Sequence, residues 1–139
     1  MYCFDTDVLS ALIGSDPPLH LFRRVAAIRP REQSTTAITL GELLYGASKR
    51  GSDRLSEKVD GLIRSAGAIL PFDEAAARVY ADLRVELEGR GRRLDEPDLR
   101  IAAIALSRDL TLVTGNVRHF ERVEGLRVEN WLDATLEQR

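Results

Sequence analysis

Short apolar runs of three to five residues alternate along this chain with longer segments in which apolar residues recur at helical spacing. Parallel strands need crossover connections, and strands apolar on both sides need cover on both sides, so the alternation implies a parallel sheet between helices. Tyr2–Phe4 is the first run, and Val8, Leu9, Leu12 and Ile13 form the first helical set, up to Gly14. Pro17-Pro18 opens a second helix whose shared face is expected to hold Leu19, Phe22, Val25, Ala26 and Ile28. Residues 34–38 read as a Thr-rich second strand, followed by Leu40, Leu43, Leu44 and Ala47 on a third helix. Gly51-Ser52 interrupts the chain before a helix carrying Leu55, Val59, Leu62 and Ile63, and Ala68–Leu70 is a third strand stopped by Pro71. Asp73 suits the N-cap of the longest helix, and Pro97 the first position of a helix whose run 101–106 implies burial on most sides. Residues 111–114 and 126–131 complete the strands, the last near an edge because it alternates polar with apolar. The expected fold is α/β, a three-layer α/β/α sandwich around a short, mainly parallel five-stranded sheet, in a single domain spanning residues 1–139.

Composition narrows the chemistry. With 20 basic against 22 acidic residues and a formal charge of −2, the chain does not coat nucleic acid by bulk electrostatics. Basic groups are local, as in Arg90, Arg92 and Arg93 ahead of Asp98, and in Arg118 with His119 after Asn116. One cysteine, Cys3, and two histidines, His20 and His119, allow neither an intramolecular disulfide nor a four-ligand cysteine/histidine zinc site. The amino terminus lacks the charged and apolar regions of a signal peptide, and no apolar stretch approaches the ~18 residues of a membrane span, so a cytoplasmic protein is expected.

In an open α/β sheet the ligand site lies beyond the carboxyl ends of the strands. That rule selects Asp5 after the first strand, Glu42 after the second, Asp98 before the fourth, and Thr114-Gly115-Asn116 at its end. Carboxylates crowded together repel one another unless a hard cation neutralises them, and oxygen-only ligands suit Mg²⁺ or Mn²⁺. Each residue also has an ordinary use. Thr39 and Glu42 fit a capping box, Asp98 complements a helix dipole, Asp7 serves as the N-cap of the first helix, and Asn116 suits a turn.

The segments Phe4-Asp5-Thr6-Asp7-Val8-Leu9, Thr39-Leu40-Gly41-Glu42-Leu43-Leu44-Tyr45-Gly46-Ala47, Asp98-Leu99-Arg100-Ile101-Ala102-Ala103-Ile104-Ala105 and Val113-Thr114-Gly115-Asn116-Val117-Arg118-His119-Phe120, followed by Val128-Glu129-Asn130-Trp131, resemble PIN-domain ribonucleases of the VapC toxin type over nearly the whole chain. The resemblance implies a Mg²⁺-dependent endoribonuclease, with Mn²⁺ as a substitute, acting as the toxin of a type II toxin-antitoxin pair. It implies hydrolysis by a metal-activated water that leaves a 5′-phosphate and a 3′-hydroxyl. By the same carry-over Asp5, Glu42 and Asp98 are the acidic metal-binding positions, Asn116 completes the catalytic set, and Thr6 and Thr114 support it. Asn116 stands where many relatives carry Asp, and Arg100 where an apolar residue is usual.

The implied partners are RNA, a small VapB-like antitoxin, and a second copy in a homodimer and a higher toxin-antitoxin complex. Leu9, Leu12, Phe22 and Tyr45 are candidates for an apolar groove that receives the antitoxin. The main alternative is a catalytically weak PIN module that binds RNA or a partner, which the missing fourth acid permits. Receiver-like and haloacid-dehalogenase-like readings want a late lysine, and none follows Lys58. Gly46 to Ser52 has Gly51 rather than lysine directly before Ser52 and follows a helix instead of a strand, so it is not a phosphate-binding loop.

Overall fold

The computed structural model describes residues 1–65 and 67–134. Five strands, β1 (Tyr2–Phe4), β2 (Gln33–Thr36), β3 (Ala68–Leu70), β4 (Thr111–Val113) and β5 (Arg127–Glu129), form one sheet in the order β3-β2-β1-β4-β5. All four pairings are parallel, with Cys3 opposite both Ser34 and Leu112. The helices are α1 (Thr6–Ile13), α2 (Leu19–Ala26), α3 (Ala37–Arg50), α4 (Asp53–Ser65), α5 (Glu74–Gly89), α6 (Glu96–Ser107) and α7 (Val117–Phe120).

Period-two alternation in the strands divides the core. Phe4 and Val113 point toward Val8, Leu9, Leu21, Leu43 and Val59 on one face, while Cys3 and Leu112 meet Leu83, Leu87, Ile101 and Ile104 on the other. Burial pushes the Cys3 thiol up to about 12, so it is an inert core group. Trp131 is buried and packs edge-on against Tyr2 and Phe4. Strand β2 is polar yet buried, because the Ser34 and Thr35 hydroxyls donate to the Tyr2 and Phe4 carbonyls at 2.8 and 2.7 Å.

The expected sandwich is present, α5 is the longest helix, and α6 buries Leu99 and every residue from Ile101 to Ala105. Several local expectations differ. Strand β2 ends at Thr36, whose hydroxyl accepts the Thr39 N–H at 3.1 Å, so Thr36 and not Thr39 caps α3. Glu42 therefore lies inside the helix, away from the capping position, and its carboxylate is free for other work. Asp5, not Asp7, caps α1, because it is the single residue between the end of β1 at Phe4 and the start of the helix at Thr6. Pro97 is the second residue of α6 rather than the first.

On α2 the buried residue is Leu21, while Leu19 and Phe22 stand exposed. Val25 and Ile28 still pack against the core, while Phe22 stands at the rim of a groove. Strand β5 is an edge strand but stops at Glu129, and residues 135–139 of the polar tail lie outside the described residues. Among the described residues no helix is long and apolar enough to cross a membrane.

Gly67 leads into β3 against the preceding backbone, where an added Cβ would lie 2.1 Å from the Gln33 carbonyl oxygen and 2.6 Å from that of Pro30. Neither backbone atom can yield cheaply. Gly67→Ala is expected to cost about 1–3 kcal/mol and lower the melting temperature by several degrees, read by thermal denaturation, whereas Gly61→Ala, with open space around it, does not.

Candidate active site

The chain runs from β1 outward to β2 and β3, then returns across the sheet to β4 on the other side of β1. The switch point lies between the carboxyl ends of β1 and β4, which is where an open α/β sheet forms its crevice. Asp5 follows β1 there and is 3% exposed. Its backbone N–H donates to the Val113 carbonyl at 2.9 Å, extending the ladder between the two strands by one residue.

The Asp5 carboxylate accepts the Thr6 N–H at 2.7 Å on one oxygen and the Thr114 hydroxyl at 2.7 Å on the other. Burial raises its pKa, and those two hydrogen bonds oppose the rise. Thr114 is fully buried, and its hydroxyl also accepts the Asn116 N–H at 3.0 Å, so one side chain ties the carboxylate to the turn after β4. Each carboxylate oxygen retains a second lone pair for a further ligand.

Glu42 is exposed at the mouth, and its Oε1 accepts the Thr6 hydroxyl at 2.7 Å. The Thr6 hydroxyl lies 3.2 Å from that of Thr39, which lies 3.4 Å from that of Thr36, so a row of hydroxyls backs Glu42. Asp98 enters from the first turn of α6 with its side chain 22% exposed. Its carboxyl is pushed up to about 6, mainly by burial, then by the charge of Asp5, with Asp95 and Glu42 adding to the rise and His119 opposing it. The His119 Nδ1 is 3.8 Å from Asp98. Asp5, Glu42 and Asp98 thus share one electrostatic environment, with few positive groups to offset it.

Asn116 is exposed and precedes α7, where its carbonyl accepts the His119 and Phe120 N–H groups and its side chain makes no capping bond. The amide therefore stands free at the mouth of the site.

The contacts of three further residues, Asp7, Gly115 and His119, escape sequence reasoning. Asp7 is not a cap; its Oδ2 accepts the Gly115 N–H at 2.8 Å, and its Oδ1 is buried without a hydrogen-bond partner. Burial and the charge of Asp5 raise its pKa. Gly115 allows that approach because any Cβ there would sit 2.7 Å from Asp7 Oδ2. His119, in the single turn of α7, lies 3.8 Å from Asp98 across the site. The one available signal was the position of Asp7, two residues after Asp5.

Crowded carboxylates with raised pKa values are the donor set expected for a hard cation. Among the described residues, no three Asp, Glu, His or Cys side chains are close enough to form a complete ligand cluster. The fit is to a divalent ion held by one or two carboxylates and water, as Mg²⁺ is commonly bound.

A family model described as PIN domain matches residues 2–126. The chain is similar to the tRNA(fMet)-specific endonuclease VapC of Shigella flexneri, at 42% identity over 94% of this chain and 97% of that protein. It is also similar to Ribonuclease VapC2 of Rickettsia felis, at 30% identity over 94% and 98%. In three dimensions it resembles VapBC2 from Rickettsia felis bound to a promoter DNA fragment, with a TM-score of 0.85, 29% identity and coverage of 94% and 98%. The DNA-bound VapBC from Salmonella typhimurium matches with a TM-score of 0.80, 33% identity and coverage of 94% and 97%. These likenesses span nearly the whole of both partners. The chain belongs to the PIN-domain family and, within it, to the VapC ribonucleases.

Proposed function

We propose that this VapC ribonuclease is a Mg²⁺-dependent endoribonuclease that acts as the toxin of a type II toxin-antitoxin pair in the cytoplasm, with Mn²⁺ able to substitute. The observation that carries the reading is the convergence of Asp5, Glu42 and Asp98 at the switch point, where burial and the charge of Asp5 push the Asp98 carboxyl up to about 6. Asp5 and Asp98 hold the ion, directly or through water, and Glu42 completes the acidic shell or accepts the proton of the attacking water. When bound, the ion supplies a water of lowered pKa and offsets charge building on the phosphate oxygens. Thr114 keeps the Asp5 carboxylate aimed, Thr6 orients Glu42, and the Asn116 amide positions water.

The antitoxin reading rests on a groove of about 410 Å³ bounded by α1, α2 and α4. Leu9, Leu12 and Phe22 line it with Ile13, Val25 and Leu62, whereas Tyr45 lies on the exposed side of α3, outside that groove. Phe22 is 58% exposed at the rim, which suits an amphipathic helix laying its apolar side chains between α1 and α2. The solved relatives are VapBC pairs, consistent with a small VapB-like partner, a homodimer and a larger toxin-antitoxin complex.

Purified protein is expected to cut total RNA into discrete fragments with Mg²⁺ or Mn²⁺ and not with EDTA. Asp5→Asn and Asp98→Asn should each lower kcat/KM by about 10²-fold or more, and Thr114→Val by about 10–100-fold. Cleavage that survives both Asp substitutions would overturn the assignment, and a folded wild type that cuts nothing would favour a weak PIN module that binds RNA or a partner.

Stability supplies a second readout with a defined sign. The folded Asp98 pKa lies above its ordinary value, so between about pH 4 and pH 6 the folded state holds a proton the unfolded chain has released, and stability falls as pH rises. Asp98→Asn removes that loss. In EDTA the variant should match wild type near pH 4 and melt about 3–8 °C higher above pH 6. Mn²⁺ at neutral pH should raise the melting temperature of wild type and not of the variant.

For the partner surface, Phe22→Glu is expected to abolish co-purification of the antitoxin while metal-dependent RNA cleavage continues. Retained capture would place the partner elsewhere.

A further inference from the structure

A second groove leaves the acidic pocket on the side away from Asp98. It begins at Thr6 and Glu42, passes between α1 and α3 beside Ser10 and Gly46, and reaches Arg50, with a volume of about 270 Å³. A neighbouring recess of about 230 Å³ shares Ile13, Gly14, Arg50 and Leu55 with it and continues past Ser52 to Arg54 and Lys58. The two form one track. Its floor is open at Gly46, where an added Cβ would meet nothing within 4 Å.

The corner between α3 and α4 sets the charges of this track. Arg50 is the last residue of α3, and Gly51 turns the chain in the left-handed conformation at φ 59°. The Ser52 hydroxyl then accepts the Leu55 N–H at 3.1 Å, which anchors the start of α4. Arg54 and Lys58 are four residues apart on that helix and so share a face. Among the described residues Arg50 and Arg54 make no ion pair, and Lys58 reaches only the Gly14 carbonyl at 3.5 Å. Many other arginines are engaged, as in the pairs Arg24–Glu129, Arg84–Glu88 and Arg108–Asp73. Glu42, at the pocket end, is the only acid among the described lining residues.

An acidic pocket draws a cation but repels a polyanion, so a nucleic-acid strand that crosses it needs positive charge on at least one flank. We propose that this groove carries single-stranded RNA away from the pocket, with Arg50, Arg54 and Lys58 contacting successive backbone phosphates. The inference rests on the ribonuclease reading and adds the path of the substrate. Contacts of this kind fix position and affinity without reading bases, so the three residues bind the strand and leave the choice of cleavage site to the pocket.

The test uses the full chain in EDTA and a labelled single-stranded oligouridine of about a dozen nucleotides, with anisotropy read across about 50–200 mM salt. Arg50→Ala, Arg54→Ala and Lys58→Ala should each reduce the slope of log affinity against log salt by about 0.7, and the triple variant by about 2. Arg78→Ala, on the exposed face of α5, should leave the slope unchanged and controls for net charge. With Mg²⁺, the triple variant should show a KM for a long RNA raised roughly tenfold and a kcat near that of wild type. Variants that keep the wild-type slope while wild type cleaves RNA would overturn the groove and leave the ribonuclease reading intact. A wild type that neither binds nor cleaves RNA would overturn both. A poly-glutamate peptide whose binding is lost in the triple variant, with RNA binding unchanged, would assign the groove to an acidic protein segment instead.

Discussion

A carboxylate buried at the end of the central strand is the constraint around which the carboxyl edge of this sheet is arranged. Asp5 is 3% exposed, and an ionised group so placed is costly unless its lone pairs and charge are met. Thr114 and the Thr6 N–H meet the lone pairs. The charge is met only in part, because the groups that feel it most, Asp7 and Asp98, are themselves acids whose pKa values it raises. Topology enforces this arrangement. β1 is flanked on both sides by parallel strands, so whatever follows it lies at the centre of the crevice and not at an edge.

The surrounding residues follow from that placement. Thr36 caps α3 and leaves Glu42 free, Thr6 turns its hydroxyl to Glu42, and Gly115 lacks the Cβ that would push Asp7 away. The same contacts leave an unpartnered oxygen on Asp7 and a cluster of carboxyls that resist ionisation. Electrostatic tension of this kind is common at functional sites, where stability is traded for reactivity. The remaining core is unstrained in composition, with α6 buried along its length and Trp131 closing the opposite face.

Two grooves of different chemistry mark the surface beside the site. The groove among α1, α2 and α4 is apolar and suits a helix, while the track along the α3–α4 corner is cationic and suits a phosphate backbone. Helix α1 borders both. The α2 wall is anchored by the buried Leu21 and by polar contacts from Arg24 to Glu129 and from His20 to the Leu132 carbonyl, with Arg24 also stacked over Trp131. An apolar site and a charged site can therefore occupy adjacent faces of the same small domain without sharing side chains beyond Ile13.

Much of this was legible before any coordinates. Hydrophobic periodicity depends only on neighbours in sequence, so the strand and helix order and the burial of α6 follow from it. The four motif segments likewise mark Asp5, Glu42, Asp98 and Asn116 as a set. Boundaries a residue or two off moved the caps of α1 and α3, and with them the work assigned to Asp7 and Glu42. Of the apolar face expected on α2, Val25 and Ile28 pack on the core, whereas Leu19 and Phe22 are apolar without being core and Leu21 is buried instead. Sequence by itself thus determined the layered fold, which rests on local pattern, while the resemblance of its motif segments pointed to the family and to the acids proposed for the site. Tertiary structure alone decided that Asp7 meets Gly115, that His119 meets Asp98, and that Arg50, Arg54 and Lys58 share a groove with Glu42. Those contacts join residues distant in sequence, or from different helices, through the register of a parallel sheet and one tight helix corner.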